Sequence, residues 1–130
     1  MRQNVIAEKS KKFALRIIAL YKYLKKEERE FVLSKQVLRS GTSIGANVRE
    51  AFAAQTDADF LAKLYISFKE AKETEYWLEL LHESNYINDQ SFDSIYKDCQ
   101  EIIKILSSIT KTQKEKQPTS IPNSNAKPNP

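Results

Sequence analysis

The sequence predicts an all-α protein, an antiparallel up-down-up-down four-helix bundle with a disordered C-terminal tail. Three observations predict it. The chain has 130 residues, which is enough for one domain with a modest core. It combines 29% charged residues with only two glycines, a composition typical of long helices with solvated faces. Apolar residues also recur at spacings of three, four and seven along four separate stretches of the chain.

The first two stretches predict helices one and two. Helix one runs from about Asn4 to Lys26, and Glu27 to Glu30 are expected to form an exposed connection. Helix two is expected to begin near Ser34, a suitable N-cap residue, and to end near Ala54. The inward stripe of helix one is Ile6, Phe13, Ile17, Leu20 and Leu24, and that of helix two is Val37, Gly41, Ile44, Val48 and Phe52.

Helix three is predicted over Asp57 to Glu83, with Thr56 as its N-cap. Its inward residues are Phe60, Leu64, Ala71, Thr74 and Leu78, while Tyr65, Ile66, Phe68, Tyr76 and Trp77 occupy its other sides. A helix that is apolar nearly all round needs, in so small a domain, a second partner besides its own bundle.

Helix four carries a regular bundle seam, in which apolar residues alternate at spacings of three and four: Phe92, Ile95, Cys99, Ile102, Leu106 and Ile109. Beyond about Thr112 the sequence becomes rich in Pro, Asn and Ser and supplies no core residues. We therefore divide the chain into a four-helix bundle domain, residues 1–112, and a flexible tail, residues 113–130.

The remaining single residues exclude several classes of protein. Cys99 is the only cysteine, and its place on the apolar seam fits a small buried hydrophobe. His82 stands alone, so we expect no metal and no cofactor, and we interpret it as a helix C-terminal residue that contacts the last carbonyls. The N-terminus lacks the apolar core of a signal peptide, and no segment approaches the ~18 apolar residues of a membrane span. We expect a cytoplasmic protein with no membrane partner.

Both glycines lie in the segment RSGTSIGANVREA, residues 39–51. A phosphate-binding loop needs GxxxxGK[ST] after a strand, whereas Gly45 is followed by Ala46 and Asn47 within a helical repeat. A glycine inside a helix costs ~1 kcal/mol relative to alanine, so the pair indicates close approach of another backbone. We predict that Gly41 packs inside the bundle. Gly45 would leave a shallow surface for either another helix or a second subunit.

Polar rows accompany the apolar stripes of helices two and three: Arg39, Ser40, Ser43, Asn47 and Glu50 on the former, and Ser67, Glu70, Glu73 and Thr74 on the latter. Two interpretations stay open. The rows either face each other, with Arg39 paired to Glu70 or Glu50, or form two solvated faces. No nucleophile or metal ligand accompanies the carboxylates, so we expect no enzyme and assign no catalytic residue.

The run SKQVLRSGTSIGANVREA, followed by DFLAKLYISFKEAKETEYWLELLHESNYI, resembles the bacterial four-helix-bundle proteins known as the 23S rRNA intervening sequence, or S23, family. The resemblance covers about Asn4 to Ile109. It is carried by Arg39, Ser43, Ile44, Asn47 and Glu50, and by Ser67, Glu70, Glu73 and Trp77. Two positions depart from it, since many members have glycine where this chain has Ala51 and proline where it has Gly45.

The resemblance implies a bundle that assembles into homo-oligomeric rings, typically pentamers, and has no established enzymatic activity. The accessory variability proteins of diversity-generating retroelements are similar, and they bind a reverse transcriptase and nucleic acid through a basic ring. A ring would cover the outer side of helix three. We therefore expect Gly45, Tyr65, Phe68 and Tyr76 at a subunit interface, with Leu15 and Ile18 as further candidates.

Basic residues give the chain a formal net charge of +4. By their spacing, Lys9, Lys12 and Arg16 share one face of helix one, and Lys22, Lys25, Lys26 and Arg29 continue it. Such a row can track the phosphate backbone of RNA or DNA, and the alternative is an ordinary solvated face. Two functions remain open: a homo-oligomeric adaptor that binds nucleic acid, and a structural ring whose partner is a protein.

Overall fold

Four helices follow one another in the computed structural model, which describes residues 2–116, with side chains for residues 5–112: α1 (Arg2–Lys26), α2 (Leu33–Phe52), α3 (Asp57–Glu83) and α4 (Asp89–Lys116). Each helix packs against the next along the chain, and α4 packs back against α1. Within the described residues the diagonal pairs, α1 with α3 and α2 with α4, make no close backbone approach. Because the connections are short, consecutive helices are antiparallel. The predicted four-helix bundle is confirmed.

The helix boundaries agree with the prediction at α3 and differ elsewhere. Thr56 caps α3 as predicted, because its Oγ1 accepts a hydrogen bond from the Asp59 N–H at 3.0 Å. Helix α2 ends at Phe52 rather than near Ala54. Helix α4 continues to Lys116, so the first residues of the predicted tail are helical. The rest of that tail, residues 117–130, lies outside the described residues.

The core is built from the predicted stripes, with one exception. Phe52 was expected to point inward, but its side chain is 40% exposed and stacks on Phe60 at a ring separation of 6.0 Å. Helix α2 ends at Phe52, and Ala51 takes the buried position in its place.

The prediction that Cys99 is a buried residue of the α4 seam is confirmed. Its side chain is fully buried, and burial raises the pKa of its thiol to about 12.

The connection between α1 and α2 was predicted to be exposed. This prediction is wrong for Glu30, which is only 8% exposed. Its carboxylate accepts hydrogen bonds from the N–H groups of Ser34 at 2.7 Å, Leu33 at 2.9 Å and Val32 at 3.2 Å. Glu30 therefore supplies the acceptors that the first amides of α2 lack. Ser34, the predicted N-cap, lies buried in the first turn, and its Oγ donates to the Glu30 carbonyl at 2.9 Å.

Both glycines of α2 face α1. A Cβ added to Gly41 would lie 2.8 Å from Cγ1 and Cγ2 of Ile17, which is closer than carbon atoms pack. This confirms that Gly41 permits close packing inside the bundle. At Gly45 the added Cβ would lie 3.4 Å from Ser10 Oγ, an ordinary contact distance. Of the two neighbours expected for Gly45, the structure places a helix of the same bundle beside it.

Two residues after the end of α3 at Glu83, Asn85 adopts a left-handed conformation with a φ of 70°. The Tyr86 N–H donates to the Leu81 carbonyl at 2.8 Å, and the Asn85 N–H donates to the His82 carbonyl at 3.1 Å, which is the Schellman pattern. The prediction that the His82 side chain contacts the last carbonyls is wrong. Its ring reaches α4 instead, where Nε2 lies 2.8 Å from Asp89 Oδ1 and the ring stacks on Phe92.

Candidate functional site

Three surfaces contain the residues that the sequence singles out. We call them the α2–α3 seam, around Arg39; the α3 outer face, around Tyr65 and Tyr76; and the α1–α2 turn, residues 22–35. No helix of the described residues is both long and apolar enough to cross a membrane. Side chains 5–112 also contain no group of three or more His, Cys, Asp or Glu residues arranged to hold a metal ion.

The α2–α3 seam is organised by Arg39. Its Nη2 lies 2.7 Å from Glu73 Oε2, and its Nη1 lies 3.8 Å from Glu70 Oε2. Glu73 Oε2 also accepts a hydrogen bond from Trp77 Nε1 at 3.0 Å. The alternative partner proposed for Arg39, Glu50, is wrong. It lies on the same helix about 16 Å further along, at 1.5 Å per residue, and pairs with Lys63 at 3.1 Å.

Buried hydroxyl groups connect the two helices beneath these charges. Ser67 Oγ donates to the Ile44 carbonyl at 2.8 Å. Thr74 Oγ1 lies 2.8 Å from both the Glu70 carbonyl and Ser40 Oγ. Since a hydroxyl carries one proton, Thr74 donates to the carbonyl and accepts from Ser40. The two polar rows therefore meet at this level, with Ser40, Ser67 and Thr74 fully buried.

Other residues of the rows stay on their own helix. Ser43 Oγ donates to the Arg39 carbonyl at 2.6 Å, and Asn47 Nδ2 donates to the Ser43 carbonyl at 2.8 Å. Glu70 Oε1 is buried and has no hydrogen-bond partner among the described residues. The hydrogen bonds of Ser67 and Thr74 across the two helices form in only one alignment of α2 and α3. The arrangement therefore indicates that the seam fixes the register of these helices.

The α3 outer face combines two half-exposed tyrosines with a partly buried phenylalanine. Tyr65 is 52% exposed and Tyr76 is 53% exposed. They are 11 positions apart, which places them about 16 Å from each other on one side of the helix. Phe68 is half-buried and stacks on Tyr65 at 5.9 Å. Gly45 lies away from this face, against α1.

The basic row predicted along α1 is divided by the fold. Lys9 Nζ lies 3.2 Å from Glu101, and Arg16 Nη1 lies 2.7 Å from Asp98. Arg16 also donates to Ser94 Oγ at 3.0 Å. These partners belong to α4, so the spacing along α1 alone gave no sign of them. Of the three basic residues on that face, Lys12 is exposed and makes no salt bridge within residues 5–112.

The α1–α2 turn, in contrast, keeps its cations free of carboxylate partners. Lys22, Lys25, Lys26 and Arg29 are exposed and make no salt bridge with any described side chain. Lys35, in the first turn of α2, is also exposed and unpaired within that part of the chain.

Aromatic rings lie among these cations. Lys25 Nζ lies 5.0 Å from the centre of the Tyr21 ring, and the Arg29 guanidinium lies 5.7 Å from that of Phe31. The Tyr23 hydroxyl donates to Glu28 at 2.8 Å, and this hydrogen bond raises the pKa of Tyr23. Sequence reasoning missed Phe31, although its place directly after the charged run KKEERE could have indicated an exposed ring.

Comparison with known proteins places the chain among relatives of unknown function. The model of the 23S rRNA-intervening sequence protein family matches residues 2–108. A solved crystal structure from Bacteroides thetaiotaomicron, of a protein with unknown function from the S23 ribosomal protein family, is 58% identical in sequence. The match covers 85% of this chain and 99% of that chain, with a TM-score of 0.84. No curated protein matches the chain.

Proposed function

The chain belongs to the 23S rRNA-intervening sequence protein family, and we propose that it acts as a non-enzymatic bundle protein that self-associates through the α3 outer face. The observation that carries this proposal is the exposure of Tyr65 and Tyr76 on one side of a helix whose other sides already pack against α2 and α4. By the resemblance described above, the assembly is a ring, with a pentamer as the favoured state.

Tyrosine supports an interface role for a physical reason. Its ring buries a large apolar area while its hydroxyl keeps a hydrogen bond, and exposed patches of this kind are enriched at protein interfaces. The Tyr65 ring is also held in place, since it stacks on Phe68 and lies 5.4 Å from Lys69 Nζ. A ring that is already ordered loses little side-chain entropy when a partner covers it.

The arrangement of the seam supports the absence of catalysis in this proposal. Glu73 is engaged by both Arg39 and Trp77, and the Thr74 hydroxyl next to Glu70 is itself held by the Glu70 carbonyl and by Ser40. A general acid or base needs a substrate proton within reach and a protonation state suited to the working pH. We therefore assign the seam a structural role in aligning α2 with α3.

Native mass by light scattering tests self-association. The wild-type chain is expected to be an oligomer at micromolar concentration. The double variant Tyr65→Glu/Tyr76→Glu places two charges on the α3 outer face and is expected to be a monomer with unchanged helicity by circular dichroism. Gln100→Glu is the matched control, because it adds a charge at an exposed position of α4. A wild-type monomer, or a double variant that keeps its oligomeric mass, would overturn the proposal and leave the aromatic patch as a site for a different protein.

We also propose a second function, the binding of RNA or DNA through the α1–α2 turn. The specific observation is the cluster of cations there that lack carboxylate partners within the described residues, whereas Lys9 and Arg16 are neutralised by α4. When protein cations contact the phosphates of a nucleic acid, the counterions condensed on that nucleic acid are released, so such binding weakens steeply with salt. An oligomer repeats the cluster and adds avidity.

Salt-dependent binding to a short structured RNA tests this second function. Lys22→Gln/Lys26→Gln is expected to weaken binding and to reduce the dependence of affinity on salt. Lys9→Gln/Arg16→Gln is the matched control, since it removes the same charge from residues that are already paired. Equal losses in both variants would contradict the assignment to the α1–α2 turn, and an absence of RNA binding at low salt would leave a protein as the partner.

A further inference from the structure

The fold changes the charge balance of the segment KKEEREF, residues 25–31. In sequence, three glutamates oppose two lysines and one arginine, so the segment looks balanced. In the structure the Glu30 carboxylate turns inward and binds three amides of α2, which removes its oxygens from the surface. Glu28 is partly buried and accepts from Tyr23. Of the three glutamates only Glu27 is exposed, against Lys25, Lys26 and Arg29, so the exposed surface of the segment is more basic than its sequence suggests.

An aromatic ring lies at the same place. Phe31 is 46% exposed and lies outside the core of the bundle. The Arg29 guanidinium lies 5.7 Å from its ring centre, so a cation and a ring are presented together. The backbone of Arg29 has a φ of 52°, a left-handed conformation held by the hydrogen bond from the Glu30 N–H to the Leu24 carbonyl at 2.9 Å. Tyr23, 42% exposed, is a second ring near the end of α1.

We propose that the α1–α2 turn binds single-stranded nucleic acid, with an unpaired base stacked on Phe31 and the flanking phosphates held by Lys22, Lys26 and Arg29. This rests on the nucleic-acid function proposed above and names the strand type. Proteins that bind single strands without reading their sequence combine cations along the backbone with exposed rings, because every base has a stacking face.

The geometry favours a single strand over a duplex. In a duplex the faces of the bases are covered by their neighbours, and an exposed ring on a turn has nothing to stack on. Proteins that read the sequence of a duplex present a helix or a β-ribbon to a groove. Here the cations are divided between the end of α1, the connection that follows it and the first helical turn of α2. Unpaired nucleotides can reach cations on all three of these segments, because the backbone of a single strand is flexible.

Fluorescence anisotropy with two labelled probes tests the proposal: a short oligouridine without secondary structure, and an RNA duplex of the same charge. At about 50 mM salt the wild-type chain is expected to bind oligouridine more tightly than the duplex. Phe31→Leu keeps an apolar side chain and removes the aromatic face. It is expected to weaken oligouridine binding by about 5- to 100-fold and leave duplex binding unchanged. Phe31→Trp is expected to restore the affinity.

The outcomes separate this inference from the function on which it rests. Equal affinity of the wild type for the duplex, or an unchanged affinity of Phe31→Leu for oligouridine, overturns the single-strand inference while RNA binding stands. Absence of binding to both probes at low salt overturns the nucleic-acid function itself. Binding to anionic phosphatidylserine vesicles without binding to either RNA probe would overturn both and assign the cations to a lipid surface. Thermal melting of each variant shows that the bundle is intact.

Discussion

Gly41 and Ile17 set the distance between α1 and α2. The two helices approach so closely here that a methyl group on residue 41 would clash with the Ile17 side chain. Ile17 is itself fully buried, so it has little freedom to move aside. Gly45, one turn further along α2, meets Ser10 of α1 at an ordinary contact distance. The two glycines thus differ in how strictly their lack of a side chain is required.

Gly41→Ala is expected to lower the free energy of unfolding by about 1–2 kcal/mol, since overpacking outweighs the gain in helix propensity. Gly45→Ala is expected to leave stability unchanged or raise it by up to ~1 kcal/mol, because the added methyl group fits and alanine favours the helix. Denaturant unfolding of the two variants measures the difference. Equal stabilities would contradict a special close approach at Gly41.

Glu30→Gln is expected to destabilise the protein by about 1 kcal/mol, because an amide offers one acceptor oxygen where the carboxylate offers two. Burial raises the pKa of Glu30, but the three amide hydrogen bonds outweigh it and hold the pKa below its ordinary value of 4.5. The stabilisation is therefore complete above about pH 4.5 and is lost as the pH falls through the lowered pKa.

Urea unfolding at a series of pH values below 5 checks this prediction. The wild-type stability should fall more steeply with acid than that of Glu30→Gln. Glu83→Gln, at an exposed position of α3, is the control and should follow the wild type. Identical pH profiles for Glu30→Gln and the wild type would show that the cap does not contribute.

How much of the structure the sequence predicts depends on how far apart in the sequence the residues lie that determine each feature. The bounds of α3 and the seam of α4 follow from spacing along a single helix, and the structure agrees with both. The Glu30 cap depends on the chain reversing at Arg29, and no residue pattern marks a glutamate in a charged run as buried. Phe52 was misplaced because periodicity does not show where a helix ends.

The candidate surfaces follow the same rule. The α3 outer face was predictable, since a helix that is apolar all round must leave some of its rings uncovered. The division of the basic row was not, because Lys9 and Arg16 find their partners on α4, and this pairing requires the register of two helices far apart in sequence. The partner of Arg39 was predicted only in part for the same reason.

Glu73→Leu is expected to shift the fluorescence emission of Trp77, the only tryptophan of the chain, because it removes the acceptor of the indole N–H. The loss of stability should be about 1 kcal/mol or less, since Arg39 is more than half exposed and exposed ion pairs contribute little. Glu83→Leu serves as the comparison. An unchanged emission spectrum would indicate that Glu73 does not contact the indole in solution.

Cys99 is expected to resist thiol reagents in the folded protein. Its buried thiol has a pKa of about 12, so at pH 8 only about one molecule in ten thousand carries the reactive thiolate. Labelling with a chromogenic disulfide should proceed at the rate of unfolding and become rapid in denaturant. Fast labelling of the native protein would contradict the packing of α4 against α3.

The bundle places α1 and α3 at diagonal corners, out of contact within the described residues. Leu15 on α1 and Tyr65 on α3 are both more than half exposed, so uncovered apolar side chains are present on two different helices that do not touch. Contact of α3 with α3 of a second copy would be isologous and would close as a dimer. Contact of α3 with α1 of the next copy would be heterologous and would continue from protomer to protomer until it closed on itself. In the second case each copy would use two different surfaces, so the pairing of these two corners would determine whether an assembly ends at two copies or grows.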